Sequence, residues 1–172
     1  MSPSLIICMG VSGVGKSTCA RMLAAEFNFV FIEADDLHSP TNKQKMRSGA
    51  ALNDNDRAPW MQAVCERVSF HAAQAQGCVL AHSGLRRPHR ERLRNCGMRS
   101  LFLHLDAPRD TIAQRITERE GHYMKVDLLD SQFRALEKTH EERDVVTLNA
   151  KLDRSSLMTQ AILEVENFIN HK

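Results

Sequence analysis

A glycine-rich segment near the start of the chain has the residue types and spacing of a phosphate-binding loop. Residues 10–17 read Gly-Val-Ser-Gly-Val-Gly-Lys-Ser, which fits the pattern Gly-x4-Gly-Lys-Ser/Thr. The glycines allow successive backbone N–H groups to turn toward one anion, and a helix that begins at the end of the loop adds the partial positive charge of its N-terminus. The spacing therefore predicts a loop that binds a polyphosphate.

The residues of this loop have separate expected roles. Lys16 is expected to bridge the β- and γ-phosphates and to act in catalysis, and the Ser17 hydroxyl is placed to bind Mg²⁺. Thr18 either contacts the α-phosphate or is an ordinary residue of the first helical turn. The predicted nucleotide-binding residues are Gly10, Val11, Ser12, Gly13, Val14, Gly15, Lys16, Ser17 and Thr18.

Three carboxylates lie where the second predicted strand ends: Glu33, Asp35 and Asp36. In parallel sheets, ligands bind in the crevice at the carboxyl ends of the strands. A carboxylate at that edge can orient an acceptor hydroxyl and take its proton. Beside a phosphate-binding loop, the cluster favours a kinase over a solvated turn.

Short apolar runs alternate with longer amphipathic segments, which is typical of an α/β protein. A helix that contains Trp60 and Val64 is expected to run to Gly77, and a helix follows Asp106-Ala-Pro108 through about Glu118. Strands separated by helices predict a parallel sheet with helices on both faces. The predicted strands are Leu5–Met9, Phe29–Glu33, Cys78–His82, Ser100–Leu105 and a weak fifth, Val145–Leu148.

Length and composition limit the class of protein. The 172 residues leave room for one domain, residues 1–172, and the net charge of +2 gives no broad basic field for a nucleic acid or a membrane. Five cysteines at wide spacings indicate reduced thiols rather than a disulfide framework. The apolar run Leu5–Val11 is far shorter than the roughly 20 residues that span a bilayer. We expect a cytoplasmic protein.

A nucleotide-binding loop alone does not distinguish a switch, a motor and a kinase. No Asn-Lys-x-Asp segment for reading guanine is present, because Asn42-Lys43-Gln44-Lys45 lacks the aspartate. The third predicted strand ends in His82-Ser83 rather than in the Asp-Glu of many ATPases. A small-metabolite kinase and a regulatory module that binds ATP without catalysis remain.

Taken together, these segments resemble those of the small gluconate kinases, in the shikimate-kinase-like branch of P-loop kinases. The Asp35–Trp60 region carries the specific part of the likeness, since the loop at 10–17 is common to many enzymes. The matching segments are 9–17, Asp35-Asp-Leu-His38 with Asn42 and Lys45-Met46, Gly49 to Trp60, Ser83-Gly-Leu-Arg86 with Arg90 and Leu93-Arg94, Gly121-His-Tyr123, Gln132-Phe133, and Glu142-Arg-Asp-Val145.

The resemblance implies a P-loop kinase fold with a five-stranded parallel sheet and a mobile lid, commonly as a homodimer. It implies transfer of the γ-phosphoryl group of ATP to the 6-hydroxyl of D-gluconate, giving 6-phospho-D-gluconate, with Mg²⁺. The polar segment at about 119–127 has Gly121 as a possible hinge and is the expected lid, although a plain connection between helices would have the same pattern. The acceptor-binding region is expected at about 35–60.

Gluconate is a small polyhydroxylated monoanion, so its site needs a cation for the carboxylate and hydrogen-bond partners for the hydroxyls. Arg57 and Arg86 are the candidate cations. Asp35 and His38 are the candidate partners of hydroxyls, with Asp35 orienting the attacking oxygen. Arg119, with Arg115 as a second candidate, is expected to approach the transferring phosphate from the lid.

Two observations leave alternatives open. Arg90 and Arg94 follow Arg86 at helical spacing, so the three form either an anion site or a solvated basic face. Several positions also depart from the pattern that we associate with the family: Glu33-Ala34-Asp35 for Asp-Gly-Asp, His82-Ser-Gly-Leu-Arg86 for Cys-Ser-Ala-Leu-Lys, and Ala51 for proline. A related polyhydroxy acid such as shikimate is the alternative acceptor.

Overall fold

Five strands form one parallel sheet in the order β2-β3-β1-β4-β5. The computed structural model describes residues 3–118 and 126–171. The predicted five-stranded parallel sheet is confirmed. β1 lies at the centre, where an uninterrupted apolar run can be covered on both faces. The strands are β1 (Ser4–Met9), β2 (Val30–Glu33), β3 (Cys78–Ala81), β4 (Arg99–Asp106) and β5 (Val145–Asn149).

Helices cover both faces of the sheet, and a short 3₁₀ turn at Ala34–Leu37 follows β2 directly. Ser39 begins α2 by accepting a hydrogen bond from the Asn42 N–H, and Asn53 and Asp56 form a reciprocal capping box at the start of α3. The helices are α1 (Lys16–Phe27), α2 (Pro40–Arg47), α3 (Asp54–Ala73), α4 (Arg87–Arg94), α5 (Arg109–Thr117), α6 (Val126–Ala135) and α7 (Arg154–Asn170).

The core has two halves because alternate residues of β1 point to opposite faces of the sheet. Leu5, Ile7 and Met9 pack in one apolar cluster with α3 residues such as Met61. Ile6 and Cys8 belong to the other cluster, which includes residues of α1, α5 and α7. Full burial of one such aliphatic side chain contributes roughly 1.5–3 kcal/mol, so both helical layers are held to one sheet.

Helix α3 ends earlier than the sequence pattern predicts. The expected end was Gly77, but the helix stops at Ala73, and Ala75 adopts the left-handed backbone conformation with φ +55°. The Gly77 carbonyl instead accepts a hydrogen bond from Val30 N at the start of β2. The chain must leave the helix early because residue 77 already belongs to the entry into the sheet.

The predicted lid falls largely on residues that the structure does not describe. Residues 119–125, including Arg119, lie outside the described ranges, and the backbone of Val126 and Asp127 belongs to α6. Among the described residues, no helix combines the length and apolar character needed to cross a membrane.

Candidate active site

The loop between β1 and α1 leaves an open concave surface at the start of the helix. Val11 and Val14 are buried and hold the loop against the core. Gly10 has φ +140°, and a Cβ there would lie 2.6 Å from the Leu105 carbonyl oxygen. At Gly15, with φ +110°, no atom lies within 4 Å of where a Cβ would stand. The backbone is therefore packed on one side and open on the other, where a phosphate would be held by N–H groups.

Lys16 is the first residue of α1, and its side chain turns back over the loop. Its Nζ donates a hydrogen bond to the Val11 carbonyl oxygen at 2.9 Å. Burial lowers the pKa of the Lys16 ammonium, and the negative charges of Asp35 and Glu33 oppose that shift. The ammonium is therefore held between the phosphate-binding loop and the carboxylates that follow β2.

Ser17 and Glu33 provide adjacent oxygen atoms beside the loop. Burial raises the pKa of Glu33, while a hydrogen bond from the Ser17 hydroxyl opposes the rise. Hydroxyl and carboxylate oxygens are ligands that Mg²⁺ accepts in phosphoryl-transfer sites. Within the described ranges, no group of three or more His, Cys, Asp or Glu side chains could hold a metal ion by itself.

A cavity of about 180 Å³ lies at the carboxyl edge of the sheet, next to the loop. It is bounded by the ends of β2 and β3, the start of α3 and one side of α6. Seven of the candidate site residues singled out from the sequence line it, although they come from four separate parts of the chain. These residues are Ser12, Lys16, Glu33, Asp35, His38, Arg57 and Arg86.

Two guanidinium groups on the cavity wall share one carboxylate. Arg86 Nη1 lies 2.6 Å from Asp54 Oδ1, and Arg57 Nη1 lies 3.4 Å from the same oxygen. Burial lowers the pKa of Arg57, and the nearby positive charge of Arg86 lowers it further. Because two cations face a single, mostly exposed carboxylate, the pair keeps an excess of positive charge that suits a monoanion.

His38 lines the same cavity and has one ring nitrogen without a hydrogen-bond partner in the described part of the chain. Its side chain is only 4% exposed, and Nδ1 has no hydrogen-bond partner among residues 3–118 and 126–171. Burial lowers the pKa of His38, so the imidazole favours the neutral form. Its Nε2 lies 4.0 Å from Asp35 Oδ1. A buried nitrogen without a partner is costly, so this ring has unused hydrogen-bonding capacity at the cavity wall.

Arg90 and Arg94 do not form an anion site with Arg86. Arg90 is fully buried and bonds the Glu142 carboxylate through Nε, while Arg94 bonds Asp144 Oδ2 at 2.7 Å. The like charges on α4 are thus compensated by carboxylates from the segment before β5. The alternative of a solvated basic face is also wrong for Arg90, whose charge is internal.

Sequence reasoning missed Gln132 as a site residue. Its Oε1 accepts a hydrogen bond from the Ser12 N–H of the loop at 2.6 Å, across 120 positions of sequence, and it lines the cavity. Gln132-Phe133 is one of the segments that resemble gluconate kinases, and this was the only signal for it. Helical periodicity cannot indicate which polar residue of α6 meets the loop.

A second cavity, of about 720 Å³, lies on the other side of the loop, against Gly15 and Thr18. Arg115 and Lys151 contribute to its wall, and Arg115 Nη2 donates to the Ala150 carbonyl oxygen at 2.8 Å. Arg115 therefore lies beside this cavity, next to the phosphate-binding loop. One feature of the sequence indicated this second cavity: residues 150–153 come just after β5 and thus lie at the carboxyl edge of the sheet.

Comparison with known proteins identifies the family to which the chain belongs. A family model described as an AAA domain matches residues 5–143. A gluconokinase from Gluconobacter oxydans is 37% identical over 151 residues, which cover 88% of this chain and 85% of that protein. The thermosensitive gluconokinase of Escherichia coli is 36% identical over 162 residues, covering 93% and 86% of the two chains. The chain belongs to the gluconokinase family.

A solved structure in the gluconokinase family agrees with this assignment. The crystal structure of a gluconokinase from Sinorhizobium meliloti superimposes with a TM-score of 0.85 at 33% identity and covers 99% of both chains. The P-loop kinase fold predicted from the sequence is thus confirmed. Membership of the gluconokinase family makes the chain a kinase and disfavours the non-catalytic regulatory module.

Proposed function

We propose that this chain transfers the γ-phosphoryl group of ATP to the 6-hydroxyl of D-gluconate. The observation that carries the proposal is the single cavity in which Lys16 of the phosphate-binding loop faces Asp35 and the pair of guanidinium groups. A phosphoryl donor and a small hydroxy acid held there would meet at one point. The similarity to gluconokinases of bacteria and plants supports gluconate as the acceptor.

On the donor side, the loop formed by residues 10–18 binds the polyphosphate, and Lys16 bridges its outer phosphates. Ser17 and Glu33 would hold Mg²⁺, which supplies charge neutralisation on the phosphate oxygens when it is bound. The base of the nucleotide occupies the second cavity, between Arg115 and residues 150–153. Arg119 is proposed to approach the transferring phosphoryl group from a lid at about 119–127.

On the acceptor side, Arg57 and Arg86 bind the gluconate carboxylate, and His38 and Asp35 bind its hydroxyls. Asp35 orients the attacking oxygen and takes its proton. Because phosphoryl transfer has a loose transition state, correct placement of that oxygen contributes more than the basicity of Asp35. The neutral His38 ring can donate to or accept from a hydroxyl without attracting a second anion.

Further expectations concern the whole protein. We expect a homodimer, as the family resemblance implies, a cytoplasmic location, and one domain over residues 1–172. The two apolar clusters on opposite faces of a single sheet support one folding unit.

The proposal is tested by measuring ADP release in a coupled assay with Mg²⁺-ATP and a panel of acceptors. The panel contains D-gluconate, other aldonates, shikimate and nucleoside monophosphates. We expect gluconate to give the highest kcat/KM. We also expect ³¹P NMR to show that the product carries its phosphate at the 6-position. Faster turnover of shikimate, or ADP release that no acceptor stimulates, would refute gluconate as the substrate.

A further inference from the structure

The only tryptophan of the chain lies between two imidazole rings in the wall of the acceptor cavity. The Trp60 ring stacks on His38 with centroids 4.3 Å apart and 12° between planes. On its other side it stacks on His82 at 4.7 Å and 7°. Stacked aromatic pairs stabilise one relative orientation of their rings. The three side chains therefore act as one layer.

His82 uses both ring nitrogens inside the protein. Its Nδ1 accepts a hydrogen bond from the Gly84 N–H at 2.9 Å, so the ring proton belongs on Nε2, which lies 3.2 Å from Met61 Sδ. The residue is 1% exposed. Burial lowers the pKa of His82 to about 3, with help from the charges of His89, Lys16 and His38. The ring is thus neutral and has no nitrogen left for substrate.

The Trp60 ring also fixes the backbone that carries the catalytic carboxylate. Its Nε1–H donates to the Ala34 carbonyl oxygen at 2.7 Å, in a buried position. Ala34 lies between Glu33 and Asp35 and opens the 3₁₀ turn that leads to His38. A shift of Trp60 would therefore move the wall that presents Asp35.

The other contact of His82 belongs to the loop that follows β3. Gly84 lies in that loop, two residues before Arg86, and Ser83 accepts a hydrogen bond from Gly10 N of the phosphate-binding loop at 3.0 Å. The same loop ends at Arg86, which meets Asp54 on α3. His82 thus touches both the loop that carries Arg86 and, through Trp60, the wall that carries Asp35.

We propose that His82 is a positioning residue for phosphoryl transfer, which holds the carboxylate-binding Arg86 at a set distance from the hydroxyl-binding Asp35. The proposal rests on the proposed function, since it concerns the acceptor of that reaction. The two contacts of His82 can be removed separately. The hydrogen bond to Gly84 positions the loop that ends at Arg86, called the arginine loop below. The stack on Trp60 positions the turn that carries Asp35.

Two substitutions separate the contacts. His82→Asn keeps an oxygen that can accept from Gly84 N–H but loses the ring, so we expect kcat to fall about fivefold with little change in the gluconate KM. His82→Phe keeps the ring but loses the acceptor, so we expect the gluconate KM to rise about fivefold with a smaller change in kcat. The ATP KM stays within about twofold of wild type in both, because neither contact touches the nucleotide.

Trp60 fluorescence gives a readout that needs no acceptor. We expect a shifted emission maximum in His82→Asn and a wild-type maximum in His82→Phe. The matched control is His104→Asn, another buried histidine, which lies on β4 and lines neither cavity. It is expected to lower the melting temperature without changing either KM or the emission.

The outcomes distinguish this proposal from the proposed function. If wild type does not phosphorylate gluconate, the proposed function fails, while the emission of the variants still reports on the stack. Wild-type kcat and gluconate KM in both His82 variants would overturn the positioning role, and so would an equal rise in the ATP KM. If both variants fail to fold, Trp60→Phe removes the Nε1 donor, and an unchanged kcat there would overturn it.

Discussion

At the scale of single residues, the cavity sets opposite charges around the point where a phosphoryl group would move. Lys16 lies between the loop and the carboxylates of Glu33 and Asp35, which preserve the positive charge that burial disfavours. Arg57 and Arg86 carry the positive charge of the opposite wall. A monoanionic acceptor would therefore be oriented with its carboxylate at the arginines and a hydroxyl toward Asp35.

Replacement of Lys16 tests the donor half of this arrangement. Lys16→Ala removes the ammonium that stabilises charge on the outer phosphates, so we expect kcat to fall on the order of a hundredfold or more. The side chain is not part of the core, and circular dichroism should remain that of wild type. Lys138→Ala, which removes an exposed lysine, is the control with unchanged turnover. A Lys16→Ala variant with normal turnover would contradict the donor assignment.

Replacement of Asp35 tests the acceptor half. Asp35→Asn keeps the size of the side chain but removes its charge and basicity, so we expect kcat with gluconate to fall by more than about tenfold. The matched control is Asp36→Asn, the exposed neighbour in the same 3₁₀ turn, which does not line the cavity. If the two variants were equally active in the coupled assay, Asp35 would have no part in the reaction.

At the scale of elements, buried charges hold the arginine loop in place. Arg90 Nη1 donates to the Gly84 carbonyl oxygen at 2.7 Å and to the Leu85 carbonyl oxygen at 3.1 Å, while its Nε bonds Glu142. The segment that follows α6 adds a further connection, because Glu137 N donates to the Leu85 carbonyl oxygen at 2.8 Å. The loop between β3 and α4 is therefore held both by Arg90 of the helix that follows it and by the distant segment between α6 and β5.

Removal of the buried carboxylate should be costly. Glu142→Ala leaves the fully buried Arg90 without its counter-charge, so we expect the free energy of unfolding to fall by about 3–5 kcal/mol in chemical denaturation. Its neighbour Glu141 is exposed, and Glu141→Ala should change the free energy by no more than about 0.5 kcal/mol. Equal stability of the two variants would show that the internal ion pair does not support the loop.

The sequence predicted those features that local pattern determines. Five strands and the loop at 10–17 follow from short apolar runs and glycine spacing, and the structure has them. The predicted end of α3 at Gly77 was wrong, because the helix must stop before Gly77, whose carbonyl oxygen accepts a hydrogen bond from the start of β2. Arg90 is buried because it pairs with Glu142, 52 positions away, and Gln132 meets Ser12, 120 positions away. No local pattern indicates partners at such distances.

At the scale of the whole molecule, neutral histidines in the core connect stability to pH. The folded pKa of His82 is about 3, whereas an unfolded histidine titrates near 6.5. Between these values the unfolded chain binds a proton at this position and the folded protein does not. Stability must therefore fall as the pH falls below about 6.5, by about 1.4 kcal/mol per pH unit for His82 alone.

This dependence is checked by measuring unfolding free energies of wild type and His82→Phe between pH 7 and pH 5. We expect the curve of the variant to be flatter by about one proton, because its residue 82 does not titrate in either state. Burial also lowers the pKa of His38 and of His89, and both remain in the variant and leave a residual slope. Identical slopes for the two proteins would contradict a neutral, buried His82.

The most direct test of the account is a crystal structure with gluconate and a non-hydrolysable ATP analogue bound together. We predict that the γ-phosphate lies on the loop at 10–17, with a gluconate hydroxyl oxygen about 3–3.5 Å from its phosphorus and hydrogen-bonded to Asp35. The gluconate carboxylate should meet Arg57 and Arg86. A complex in which gluconate binds outside this cavity, or with its carboxylate toward Asp35, would contradict the account.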